Sequence, residues 1–204
     1  MKHISILFVL LALALPSFAV QPGDKVDNFK LLDQTGRMHE LYYLSDAKAV
    51  VIMIHGIGCP IARNAVHGYK ALRDKYKAQG VEFLMLNANF QDNRESIAKE
   101  AKEFDIDIPI LDDETQIVAE SLNVERTADV FVIKTADWKI AYRGSLNNRL
   151  GYETQRNEAS ENYVADALDA VIKGESVKLA STEAQGCLVN LPELDRREEH
   201  KLIS

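Results

Sequence analysis

Six consecutive apolar residues, Ala49 to Ile54 (AVVIMI), stand just before His55 and the glycines of "HGIGCP". A strand with one face in water alternates apolar and polar side chains, so an unbroken run of this kind needs cover on both faces. The chain must therefore supply packing elements to both sides of a central strand. Ile61, Ala65, Tyr69, Leu72 and Tyr76 recur at helical spacing and predict an amphipathic helix ended by Gly80. "VEFLMLNA" reads as a second buried strand, and "NRESIAKEAKEF" as a polar helix with Ile97, Ala101 and Phe104 inward. A short apolar segment (IPIL), a short helix (ETQIVAESL), two strands about a turn near Thr135 to Asp137, and a helix in "ASENYVADALDAVIKG" follow. Upstream, "KLLDQTGRMHELYYL" reads as a hairpin turning at Gln34-Thr35-Gly36. This order predicts an α/β fold, a mixed central sheet flanked by helices, with an N-terminal β-hairpin extension.

The first residues, "MKHISILFVLLALALPSFAV", have one lysine, an apolar stretch from Ile4 to Leu15 and small residues at the end. That pattern predicts a signal peptide over residues 1–19, cleaved after Ala19, and a periplasmic or secreted protein. The stretch is too short for a bilayer-spanning anchor. A single domain is expected over 20–190, and a charged tail over 191–204. The formal net charge is −7, with acidic and basic residues interleaved. Loss of Lys2 with the leader makes the chain more acidic still. No basic stripe offers a nucleic-acid footprint. Nothing after Val20 resembles a membrane span, and no cofactor or resident metal is called for.

The two cysteines, Cys59 and Cys187, could form a structural disulfide, form a redox pair, or remain separate thiols. Position distinguishes Cys59. It lies between the first central strand and the first long helix, with Pro60 at the place that suits the first helical residue. Backbone N–H groups and the positive end of the helix dipole favour thiolate there, and the thiolate is the nucleophile. The bland alternative is a small buried hydrophobe capping a helix. Arg63, one turn further on, would lower the thiol's pKa, bind an anionic substrate, or serve only as a solvated charge. His55 is a base, a metal ligand or a strand-end residue, and we favour the last. The polar stretch from Tyr142 to Ser160, with Arg143, Arg149 and Arg156, either rims the site or is an ordinary surface loop.

Strand, Cys-Pro, long helix, strand, helix, then "ILDDETQIVAESLNVERTADVFVI", "WKIAYRGSLNNR" and the late "YVADALDAVIKGESVKLASTEAQGC" resemble the thioredoxin-like redoxins. The nearest subgroup is the peroxiredoxin-like proteins of the alkyl hydroperoxide reductase/thiol-specific antioxidant family. The resemblance covers about residues 22–190. It implies a thioredoxin fold, thiol-based redox chemistry, and a peroxide or a thiol or disulfide protein as partner. Three positions depart from the pattern. Ala62 stands where Cys-x-x-Cys relatives have a second cysteine. Gly56 and Ile52 replace the threonine or serine and the proline that precede a peroxidatic cysteine. Thr127-Ala128 stands where a cis-proline usually faces the site, and a trans bond with an altered groove is expected.

With no cysteine at position 62, Cys187 is the one intramolecular residue able to resolve an oxidised Cys59. A sulfenic acid at Cys59 would condense with it to a disulfide. The pair serves equally as a static staple. The leading expectation is a thiol oxidoreductase with Cys59 as nucleophile. A catalytically degenerate binding module and a copper-binding protein using His55 and the two cysteines are the alternatives.

Overall fold

The computed structural model describes residues 20–151 and 155–191. The expected leader and all of the expected tail except Leu191 lie outside the described residues, as do positions 152–154 of the polar loop.

The continuous apolar run forms β3 (Ala49–His55), all seven residues of which are buried. Its side chains divide between two cores. Val51 and Met53 pack on one face of the sheet against α1 (Pro60–Tyr76), α2 (Arg94–Glu103) and α4 (Tyr163–Lys173). Val50, Ile52 and Ile54 pack on the other against α3 (Ile117–Ser121) and the N-terminal residues Val26 and Leu41. This two-sided cover explains why no polar residue interrupts the run.

β4 (Val81–Asn87) lies parallel to β3, while β6 (Val130–Lys134) lies antiparallel to it on its other side and continues to β7 (Lys139–Gly144). Among the described residues the sheet has seven strands, in the order β2 (Met38–Glu40), β1 (Lys30–Asp33), β5 (Ile110–Asp112), β4, β3, β6, β7. The expected hairpin is present as β1 (Lys30–Asp33) and β2 (Met38–Glu40). Its turn is fixed by buried Asp33, whose Oδ1 accepts from the backbone N–H groups of Thr35 and Arg37. "IPIL", read from sequence only as an apolar segment, supplies the strand β5 (Ile110–Asp112). It pairs parallel with β4 and antiparallel with β1, joining the hairpin to the main sheet. Three residues are too few to show a period, so sequence could not type it.

α1 is anchored from within. The hydroxyl of fully buried Tyr69 lies 2.9 Å from the Val51 carbonyl and 2.7 Å from that of Leu84, tying the helix to β3 and β4. The helix start, and the cysteine that precedes it, are thereby fixed over the C-terminal end of β3. After α4 the chain runs back across the sheet, and Val189 and Leu191 finish buried in the second core. Position 191 is thus packed in the domain. Among the described residues no helix is long and apolar enough to cross a membrane.

Candidate active site

Cys59 is the N-cap of α1, in extended conformation, with Pro60 at the first helical position. It is 5% exposed, as the inert-hydrophobe alternative expects. Its sulfur nevertheless faces polar groups. Thr127 Oγ1 donates to Cys59 Sγ at 3.0 Å, and the Cys187 sulfur stands 2.6 Å from it. Both cysteines are separate thiols in this structure.

The two thiols are driven in opposite directions. Burial works against ionisation of Cys59, but hydrogen bonds from Cys187 and Thr127 outweigh it and bring its pKa below the ordinary cysteine value. The Ala62 N–H at the third helical position adds electrostatically without closing a capping bond. Burial raises the Cys187 thiol, and its role as donor to Cys59 raises it further, to about 11. One sulfur is set up as thiolate and the other as its proton-bearing neighbour.

Cys187 is delivered by a short extended segment that pairs antiparallel to the residues leading into β6. Thr127 N–H donates to the Cys187 carbonyl and Val189 N–H to that of Glu125, each at 2.9 Å. Cys187 N–H donates to Thr127 Oγ1 at 3.0 Å, and Arg126 Nη1 to the Gly186 carbonyl at 3.1 Å. The Thr127 hydroxyl therefore works twice, accepting from the Cys187 backbone and donating to the Cys59 sulfur.

Thr127 was noticed in sequence only as the neighbour of a missing proline. There are no cis peptide bonds among the described residues, and Ala128 takes a left-handed conformation (φ 58). A non-glycine residue there costs roughly 1–2 kcal/mol. It is held by its N–H bond to the Ile54 carbonyl (2.7 Å) and by the adjacent bond from Ile54 N–H to the Asp129 carbonyl (2.8 Å). A Cβ at Gly56 would lie 2.6 Å from both Thr127 Cγ2 and Asn89 Nδ2. Any larger side chain at 56, threonine included, would collide with Thr127. The absent hydroxyl at 56 and the hydroxyl contributed by Thr127 belong to one arrangement.

Beneath the loop lies a buried polar network. Asn87 Nδ2 contacts His55 Nδ1 at 3.1 Å, and His55 Nε2 stands 3.1 Å from Glu100 Oε2. Glu100 Oε1 also accepts from Gly58 N–H (3.2 Å) and Arg63 Nη2 (3.0 Å). Asp92 Oδ2 accepts from Ile57 N–H at 3.1 Å and from Asn87 and Asn89. Burial opposes ionisation of Glu100, but the bonds from His55, Gly58 and Arg63 prevail and hold its pKa at about 2.

This network places Arg63 and His55. Arg63 pairs with Glu100 and lies over the Phe104 ring, 3.9 Å from its centroid, and the groups that lower the Cys59 thiol are others. The pairing ties the first turn of α1 to α2. His55 is buried at the end of β3, its Nδ1 beside Asn87 and its Nε2 beside Glu100. Among the described residues no group of three or more His, Cys, Asp or Glu side chains is placed to hold a metal ion. Glu100 was missed in sequence, although its position between Ile97 and Ala101 on the inward stripe of α2 marked it as a buried carboxylate. Of the loop arginines, Arg143 is not at a rim. It binds Asp129 and the carbonyls of Val20, Leu122 and Asn123. Arg149 donates to the Asn64 carbonyl, and Arg156 lies near Ser160.

Removing the Thr127 hydroxyl tests its contribution, together with the seat it gives the Cys187 N–H. Thr127→Val keeps the shape but deletes a bond to a charged sulfur worth about 1.5–3 kcal/mol. The midpoint for iodoacetamide alkylation of Cys59 is expected to rise by about one pH unit or more. An unchanged midpoint would show that the hydroxyl does not act on the thiolate.

Known structures share this fold. A crystal structure of a hypothetical protein from Sinorhizobium meliloti 1021 is similar with a TM-score of 0.75 and 21% identity, over 84% of this chain and 95% of that one. An uncharacterized conserved protein from Geobacillus kaustophilus gives 0.70 and 27%, over 83% and 92%. Peroxidoxin BcpB from Mycobacterium tuberculosis gives 0.57 and 22%, over 76% and 97%. No curated relative matches. The fold is that of the thioredoxin-like redoxins. The AhpC/TSA family profile matches residues 22–146, more than half of the chain, and the chain belongs to the AhpC/TSA family, whose members are thiol oxidoreductases and peroxidases.

Proposed function

We propose that this redoxin is an exported thiol oxidoreductase in which Cys59 is the nucleophile and Cys187 its intramolecular disulfide partner. The observation that carries the reading is the 2.6 Å approach of two sulfurs whose acidities are pushed apart, Cys59 down and Cys187 up. In the oxidative half-cycle the Cys59 thiolate attacks a peroxide oxygen, releasing water or alcohol and leaving a sulfenic acid. The Cys187 thiol then displaces hydroxide to give the disulfide, and its proton completes the second water. With a protein disulfide as oxidant, Cys59 attacks one sulfur, and Cys187 resolves the mixed disulfide and expels the partner's second thiolate. Either route is closed by an external dithiol.

Export is supported by the apolar stretch from Ile4 to Leu15 and the small residues before Val20. N-terminal sequencing of the protein recovered from a periplasmic fraction is expected to begin at Val20.

The redox reading is tested by mass spectrometry of alkylated protein, before and after stoichiometric peroxide or an oxidised protein dithiol. Treatment is expected to remove two alkylatable thiols together and to link the peptides holding Cys59 and Cys187. Restoration by a dithiol should follow. If Cys59 accumulates as sulfinic acid while Cys187 stays alkylatable, the pair is not a resolving couple. A disulfide present throughout and inert to dithiol would mark a static staple instead.

A further inference from the structure

The segment that brings Cys187 to Cys59 is seated as a short strand on residues 125–127, and the way it is seated defines a ligand. Backbone bonds at both ends fix its register, Thr127 N–H to the Cys187 carbonyl and Val189 N–H to the Glu125 carbonyl. Arg126 and Leu188 form the antiparallel bridge between them. These contacts read main chain, so any extended peptide in the same register makes them. Two positions are read by side-chain shape. The cysteine must reach Cys59. The residue before it must be glycine, because a Cβ at Gly186 would fall on the Thr127 carbonyl. Backbone and side chain of Thr127 surround the position, so no rotamer change clears it. The following residue is free to be large, since Leu188 is 60% exposed.

From this we infer that the edge at residues 125–127 is a binding site for extended polypeptide carrying a Gly-Cys dipeptide. The chain's own Gly186-Cys187 is its tethered occupant, and a Gly-Cys segment of a disulfide-bearing partner protein takes its place during exchange. The inference rests on the redox role proposed for Cys59 and adds the partner's local sequence. In the exchange, the Cys59 thiolate attacks the sulfur of the partner's cysteine. A Cys59–partner disulfide forms, the partner's original disulfide breaks, and its other sulfur leaves as thiolate. Return of Gly186-Cys187 to the edge then displaces the partner.

The test uses the full chain with Cys187→Ser, which leaves Cys59 as its one thiol. The probe is an acetylated peptide of the sequence AQGCLVNL whose cysteine is a mixed disulfide with thionitrobenzoate. A second peptide has alanine in place of the glycine. Release of thionitrobenzoate reports the reaction, and mass spectrometry confirms which sulfur Cys59 has joined. The glycine peptide is expected to react at least about tenfold faster, a preference of about 1.4 kcal/mol. Adding Gly186→Ala to the same chain unseats the tethered segment and should accelerate the glycine peptide further. If that double variant does not fold, the preference measured with Cys187→Ser alone decides. Equal rates for the two peptides overturn the inference. So does self-association of the Cys187→Ser chain that blocks both peptides, which would give the edge to a second copy. The symmetric aromatic disulfide of thionitrobenzoate separates the two levels. If Cys59 reacts with it but does not discriminate between the peptides, the peptide site fails and the redox reading stands. No reaction with it sinks the redox reading itself.

Discussion

Cys59→Ser is expected to lower thiol–disulfide turnover to background, a loss of at least about 10³-fold. A serine hydroxyl has no accessible anion at neutral pH, and Cys187 cannot take over the role. Burial, the first cause of its raised pKa, opposes ionisation of the Cys187 thiol and does not depend on Cys59. The companion variant behaves differently. Cys187→Ser is expected to keep one stoichiometric reaction of Cys59 with an oxidant and to stall there, as a sulfenic acid or mixed disulfide. Single-turnover kinetics with mass-spectrometric detection of the adduct separate the two outcomes. Full multiple turnover in the Cys187→Ser chain would remove Cys187 from the mechanism. Such turnover in Cys59→Ser would invert the assignment.

The second large effect is on stability. Arg143 extends from β7 and ties together three parts of the molecule. Its Nε and Nη2 contact Asp129 Oδ2, each at 2.9 Å, and its other donors reach the carbonyls of Val20, Leu122 and Asn123. Its guanidinium also lies over the Phe131 ring. Asp129 is 3% exposed, and burial pushes its pKa up to about 6 despite the pull of Arg143. Arg143→Ala leaves that carboxylate without a cation and three carbonyls without their donor, a loss of about 3–5 kcal/mol. Urea unfolding with a constant slope measures it.

The pH dependence of the loss carries a definite sign. The folded-state pKa of Asp129 exceeds its unfolded value, so folding favours the protonated carboxyl. Its contribution is most favourable at low pH and weakens as pH rises from about 4 to about 6. Without Arg143 the folded-state pKa rises further, so the variant's deficit should be larger at pH 8 than at pH 5. Asp129→Asn in the Arg143→Ala background should recover part of the loss. A deficit independent of pH would place the effect in the lost carbonyl contacts alone.

The strand β3, the helix α1 and the position of Cys59 between them were legible because each is written in a local pattern: an apolar run, a period of 3.6, and a proline at the helix start. What sequence could not supply was distance between remote segments. Thr127 and Cys187 are brought to Cys59 by the loop before β6 and by a segment returning after α4, and neither has a periodicity of its own. Arg63 was legible on the helix, but its pairing with Glu100 was not, because that carboxylate lies on another helix. β5 was recognised as apolar but not as a strand, since only its neighbours β1 and β4 define it. The hydroxyl beside the Cys59 sulfur comes from Thr127, a residue noticed in sequence only beside the missing proline.

The two sulfurs are 128 residues apart along the chain. During synthesis Cys59 therefore emerges as a solitary thiol, long before the segment that covers it exists. Until residues 186–189 dock, nothing of Cys187 lies over the nucleophile. Docking of residues 186–189 is what sets the second sulfur over the first, so the seating of this short segment decides whether the two act as a couple.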